Sequence, residues 1–338
     1  MRKIILVLFV VILSLDVLAQ QSDVDKLIEQ GIALHDHGLY EDARSKFKQA
    51  LAMDKTSIRA KYEMAYSSSA IKLWDDALHY SRLVLAEEGE YELEAYLVFC
   101  AALDNVGRDK QAIKFYKKAI KKYPDEHLLH YNIALTYLNQ GEVDLAQAEV
   151  QRAIQLNQYH MSSHLLLSKI MGSRGDRLKR MLPLYFFLLY EQDTERSIEA
   201  LDDLQAYWRG AAMQTGNEVK VPISNLSSTS GLAMANMGLG LIAATYMVDD
   251  EKKKLEEPYK LAQQTSELFK LLDEVKTGEL DFFDIYYVDF FSLLINAGHV
   301  EVYSHYISNC MHKDKVLLWV TENNSEFSSF MEWMKLQE

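Results

Sequence analysis

His160 and His164 stand one helical turn apart, a spacing that could place two imidazoles on one metal ion. The pair straddles the start of a helical segment and has no third ligand nearby. The spacing therefore reads as adventitious, and no metal is expected. His35 and His37 are two apart, so on a helix they would not face each other. Asp202–Asp203, Asp249–Asp250 and Glu256–Glu257 read as solvated acidic pairs, because acid–base work needs carboxylates in a shared pocket. The sequence holds no Gly-rich phosphate loop, nucleophile elbow or Cys-x-x-Cys pair. It predicts no catalytic residue, no cofactor and no enzyme activity. That leaves binding, and the elements that would present a binding surface.

Those elements repeat. Ala43, Ala77, Ala112 and Ala146 recur at spacings of 34, 35 and 34, and Arg180 takes the equivalent place in a fifth copy. Twelve residues before each stands a small residue: Gly31, Ala65, Cys100, Ala134, Ser168. Turn positions read Gly38, Lys72, Gly107, Gly141 and Gly175. Each copy reads as two short amphipathic helices joined by a turn, and such a hairpin cannot bury its apolar faces alone. Small residues let the paired helices approach closely, and glycine at the turn takes the left-handed conformation that closes the first helix. Phe47, Ser81, Tyr116, Val150 and Leu184 then line the second helices.

This pattern resembles the tetratricopeptide repeat family, and the resemblance spans about half the chain. It implies an all-α solenoid of about five helical hairpins over residues 23–192, followed by an all-helical C-terminal domain. Pro124 alone fits the family's terminal proline, and Lys61 and Ser81 stand where bulk is usual. The resemblance also implies an inner face lined by first-helix residues. Here that face reads Ile28, Tyr62, Leu97, Tyr131 and Leu165 in one row, and Ile32, Tyr66, Ala101, Leu135 and Lys169 one turn later. Chaperone-binding members carry Lys and Asn in these rows to clamp a terminal carboxylate; the apolar and aromatic residues here do not suit that clamp. They suit a segment of another protein, with Ile28, Ile32, Tyr62, Tyr66, Leu97, Tyr131, Leu135 and Leu165 as contact residues.

The first nineteen residues read as a cleaved signal peptide: Arg2 and Lys3, an apolar run from Ile4 to Leu15, then Val17-Leu18-Ala19. The run is too short to suit a span of roughly 30 Å of hydrocarbon. A secreted or periplasmic protein is expected. The formal net charge of −13 argues against a general nucleic-acid surface. Of two cysteines, Cys100 occupies a packed small position and reads as a buried hydrophobe rather than half of a disulfide with Cys310.

The rest divides into a capping helix over 193–213, with Ile198, Leu201, Leu204 and Trp208 as its inward stripe, a loop or brief hairpin over 214–230, and a helical domain over 231–338. Arg180–Tyr190 is apolar nearly all round and should be covered on most sides. Pro183 is placed in its first turn. Leu232–Val248 carries no charge and reads as a central helix rather than a membrane span; Asp250–Lys276 reads as one long charged helix. Phe282–Phe291 and Gly298–His299 resemble the C-terminal segment of secreted bacterial tetratricopeptide proteins, which implies a recurring domain and no activity. The leading expectation is a non-enzymatic adaptor binding a protein or peptide through its aromatic face, with no integral span after signal cleavage. Two alternatives stay open: a ligand-sensing or hydrolytic C-terminal domain with a cavity near Tyr286, Tyr287 and His299, and a structural spacer whose groove the chain fills itself.

Overall fold

The computed structural model describes residues 21–87, 89–216, 218–222, 231–276 and 280–337. The signal-peptide reading falls outside them, as does half of the 214–230 loop. The architecture is an all-α array of consecutive helical hairpins followed by further helices. The chain forms two compact units, Met1–Glu149 and Val150–Glu338, divided within one helix rather than after residue 192. The fifth hairpin thus belongs with the C-terminal helices.

The first unit holds α1 (21–36), α2 (Tyr40–Met53), α3 (Ile58–Ala70), α4 (Trp74–Leu85), α5 (Glu92–Asn105), α6 (Asp109–Lys122), α7 (His127–Asn139) and the start of α8 (Val143–Leu156). The register of small residues explains the packing. Ala43, Ala77, Ala112 and Ala146 are fully buried, as are Ala65, Cys100 and Ala134 at the facing crossings. A Cβ at Gly31 would overlap the Phe47 ring, so this crossing takes no larger residue. The five turn positions all adopt positive φ, Lys72 at 61° among glycines at 73–78°. Lys61 and Ser81, the two departures in the second copy, are buried with partners. Lys61 reaches Glu87 at 3.4 Å, and the Ser81 hydroxyl donates back to the Ala77 carbonyl.

The second unit holds α9 (Met161–Ser173), α10 (Arg177–Tyr190), α11 (Glu195–Gly210), the antiparallel hairpin β1 (Met213–Thr215) and β2 (Glu218–Lys220), α12 (Gly231–Val248), α13 (Tyr259–Val275), α14 (Asp289–Asn296), α15 (Val300–Ile307), α16 (Asn309–Glu322) and α17 (Asn324–Lys335). Every residue from Met181 to Leu189 is buried, so α10 is the axis of this unit, packed by α9, α11, α12 and α15. Asp176 caps α10 by accepting from the Lys179 N–H, which starts the helix earlier than expected and places Pro183 in its second turn. Thr194 and Ser197 form a reciprocal cap on α11. Leu201, Leu204 and Trp208 point inward from α11 as expected, while Ile198 is exposed.

Two further expectations change. The charged stretch from Asp250 is not one helix: a turn of 3₁₀ helix covers Lys252–Lys254, and α13 starts only at Tyr259. Pro258 supplies the reason, since it lacks an N–H and biases Glu257 away from helical backbone. α12 is less central than its composition suggests, with Met234, Met237, Leu241 and Val248 exposed. Its glycines do admit close neighbours: a Cβ at Gly238 would meet Leu271, and one at Gly240 would meet Val221. α12 is the one described helix long and apolar enough to cross a membrane, by length and composition alone. The cysteines are both free thiols.

Candidate partner-binding face

In the first unit the first helices of successive hairpins lie side by side, so residues at equivalent positions form rows. Lateral ties hold them: Arg59 Nη2 donates to Glu29 Oε1 at 2.6 Å, and His35 Nδ1 meets Ser67 Oγ at 2.7 Å. Two hairpins further on, Thr136 donates to Asp104 at 2.7 Å.

On this frame sits a continuous stack of rings. Tyr91 stacks on Tyr62 with centroids 5.2 Å apart, Tyr62 on Tyr66 at 6.0 Å, and Tyr66 on His35 at 4.6 Å. Tyr40 closes the row edge-on to His35 at 4.9 Å. Tyr66 remains 45% exposed although its ring has neighbours on both faces. Such stacks contribute roughly 0.5–1.5 kcal/mol per pair beyond burial, which fixes the rings as a shelf before anything binds.

The expected contact residues divide. The structure brings Tyr62 and Tyr66 together on the shelf. Leu97, Tyr131 and Leu135 are half-buried in the following hairpins, and Ile32 packs partly against the terminal core. Ile28 is fully buried with Val24, Ala43 and Phe47, because α1 has its own inward stripe of Val24, Ile28 and Gly31. Leu165 belongs to the second unit, where it lines a cavity of about 310 Å³ with Lys169, Arg180, Arg196 and Asp203. His35, Tyr40 and Tyr91 were missed. His35 lies one turn beyond Ile32 in the same row, so carrying the rows on one more turn would have found it; Tyr40 and Tyr91 lie beside helix starts, off the row register.

Acidic side chains border the shelf. Burial pushes the Glu63 carboxyl up to about 7; Arg59 opposes this, and Asp36 and Glu29 reinforce it. Burial likewise raises the Tyr62 phenol. Glu94 Oε2 is buried without a hydrogen-bond partner. In the third hairpin, and not at these rings, burial raises Asp104 to about 6 against the hydrogen bonds from Thr136 and Tyr116. Arg59 is the cation in this electrostatic set. The face can therefore offer ring surfaces and negative potential, which disfavours a peptide's terminal carboxylate and suits a basic or aromatic side chain.

The histidines considered for metal do other work. His164 Nε2 lies 2.8 Å from the Gln158 carbonyl, which can only accept, so Nδ1 accepts from the Tyr287 hydroxyl at 2.8 Å. The ring stacks on Phe186, and burial lowers it to about 4. His160 Nδ1 meets Ser163 Oγ instead. Among the described residues no group of three potential ligands gathers. Tyr287 is fully buried and packs beside Phe186 and Phe282.

The sequence model of the tetratricopeptide repeat matches residues 115–148, from the middle of α6 into α8. The match marks one tetratricopeptide repeat in that segment, and the hairpin geometry and register repeat its pattern along the chain. No curated protein matches the sequence. Solved structures similar to it include Pseudomonas aeruginosa pilF, at 17% identity and a TM-score of 0.48 over 57% of this chain and 91% of that one. A thermophilic tetratricopeptide protein of Thermus thermophilus is 21% identical, with a TM-score of 0.46 over 54% and 98%. YrrB, described as having an unusual peptide-binding site, is 14% identical, with a TM-score of 0.42 over 57% and 97%. Repeats of this type are protein-interaction scaffolds, and that is the general class the hairpin array defines.

Proposed function

We propose that this chain is a non-enzymatic adaptor of the bacterial cell envelope that holds a segment of another protein on its N-terminal aromatic shelf. The observation that carries this reading is the stack of His35, Tyr66, Tyr62 and Tyr91, fixed in place yet open to solvent at Tyr66. The carboxyls around it select for a segment bearing arginine, lysine or aromatic side chains. A cation docking beside Glu63 favours its ionised form, so capture strengthens as the pH rises through about 7. The envelope assignment rests on the charged, apolar and small-residue sequence of the first nineteen residues.

The test uses the full mature chain as bait and an array of peptides varied in charge. Basic–aromatic peptides should bind, and Tyr62→Ala with Tyr66→Ala should weaken them at least tenfold, about 1.4 kcal/mol. Equal binding by the double variant, or preference for acidic peptides, would sink this reading. N-terminal sequencing of the protein from fractionated cells tests the compartment; a mature chain starting at Gln20 in the envelope fraction is expected.

A further inference from the structure

A second site lies wholly within the C-terminal unit, away from any residue of the aromatic shelf. Three helices converge on a cavity of about 160 Å³, close to the roughly 150 Å³ that holds one benzene-sized molecule. Each helix contributes residues one turn apart. α11 presents Gln205, Trp208 and Arg209, and α12 presents Ala243, Tyr246 and Met247. α13 presents Lys260 and Gln264, which the four-residue spacing aligns on one face, and the turn before it presents Glu257.

The polar groups here are unusual for the interior of a helical packing. Gln264 is 3% exposed, lines the cavity, and its amide has no hydrogen-bond partner among the described residues. Gln205 is also buried; its Nε2 meets His312 Nε2 at 3.2 Å, and its carbonyl oxygen has no such partner. These amide groups face the open cavity, so whatever occupies it completes their hydrogen bonds. Lys260 makes no ion pair among the described residues, although Glu257 stands three residues away. Glu257 is half-engaged, one oxygen accepting from the Leu261 N–H at 3.1 Å. Trp208 and Tyr246 have their polar atoms turned elsewhere, Trp208 Nε1 to Tyr185 and the Tyr246 hydroxyl to Glu267, so both offer hydrocarbon to the cavity.

We propose that this cavity binds a single small zwitterion, an α-amino acid with an apolar side chain. Its carboxylate lies against Lys260 and Arg209, its ammonium against Glu257, and the Gln205 and Gln264 amides complete the polar end. The side chain rests on Trp208, Ala243, Tyr246 and Met247. Neighbouring acid and base suit a ligand with both charges on one carbon. A neutral sugar would use the amides and leave Lys260 without a counterpart, Arg209 also reaching Asp202 at 3.5 Å; a simple carboxylate would leave Glu257 unmatched.

The test is titration calorimetry and thermal melting of the full mature chain. The probes are the apolar amino acids at up to about 10 mM, with isocaproate, isoamylamine and glucose as comparisons. One amino acid should bind one-to-one and raise the melting temperature, with isocaproate and isoamylamine at least tenfold weaker than leucine. Gln264→Met should weaken binding at least tenfold, since the ligand loses the amide that completes its polar end. Lys260→Met should weaken binding without changing the free protein's melt. Binding of glucose alone, no binding of any apolar amino acid, or unchanged affinity in both variants would overturn the proposal. None of these outcomes touches the aromatic shelf.

Discussion

His35 and His164 each stack on an aromatic ring with centroids 4.6 Å apart, one in each compact unit. The contacts are alike and their surroundings are opposite. His35 lies on a face where Tyr66 stays open to water, and its ring meets a serine hydroxyl. His164 has both nitrogens committed inside a core that continues through Phe186 and Tyr287. Around α10 that core gathers Tyr185, Phe269, Phe291 and Tyr303, with Phe269 stacked on Phe291 at 4.1 Å. Tyr185 ties it together: its hydroxyl accepts from Trp208 and meets Thr265, and its carbonyl accepts from the Tyr303 hydroxyl. Aromatic residues at helical spacing thus make a presented surface in one unit and a sealed interior in the other. What separates them is whether further helices arrive to cover the row.

The comparison breaks most readily at the sealed end. Phe269→Ala removes a fully buried ring from the middle of the stack, and truncations of this kind cost about 3–5 kcal/mol. Urea denaturation should show that loss, with peptide binding by the folded fraction unchanged. A loss near 1 kcal/mol would mean that the C-terminal rings are loosely covered, and the contrast between the units would fail.

How far this contrast could be read beforehand depends on which contacts are local. The hairpin register was fully legible, because Ala43, Ala77, Ala112 and Ala146 face crossings whose geometry is set within one repeat. The left-handed turns were equally plain, even at Lys72, where the register required one despite the side chain. The fate of the inner row was not. Tyr62 and Leu165 hold the same register position, yet one joins an open stack and the other lines a charged cavity. Lys169 lies one turn from Leu165, but Arg180, Arg196 and Asp203, which make the difference, come from segments further along the chain. The same holds for His164, whose partner Tyr287 lies 123 residues away. The amide-lined cavity was illegible for a related reason: Gln205 and Gln264 look like ordinary surface residues until three helices close around them.

The two histidines sharpen the comparison through pH. Burial holds His164 at about 4, with the Gln158 carbonyl opposing, whereas in the unfolded chain it titrates near 6.5. Between those values the unfolded chain takes up a proton that the folded chain refuses. Stability is therefore full above about 6.5 and is lost as the pH falls toward 4, by up to about 3 kcal/mol for this residue. Burial also lowers His305 to about 4, which adds in the same direction. Urea midpoints at pH 7.5 and pH 5 should drop less in His164→Gln than in the wild type. Identical drops would show that His164 is not the group that makes the core acid-sensitive.

The smallest effect belongs to the open end and is the most discriminating. Tyr66→Ala removes a ring that is 45% exposed, leaving Tyr62 stacked on Tyr91 and His35 hydrogen-bonded to Ser67. Its cost to stability is the stacking alone, about 1 kcal/mol, a few degrees in melting temperature at most. An equivalent truncation of Phe269 costs several times more because it also leaves a cavity. If Tyr66→Ala proved as costly as Phe269→Ala, the shelf would be interior in solution, covered by something that stays bound when the chain is purified. If it cost about 1 kcal/mol and still lost the basic–aromatic peptides, then the same residue type would be carrying recognition in one unit and cohesion in the other, separated only by what packs on top.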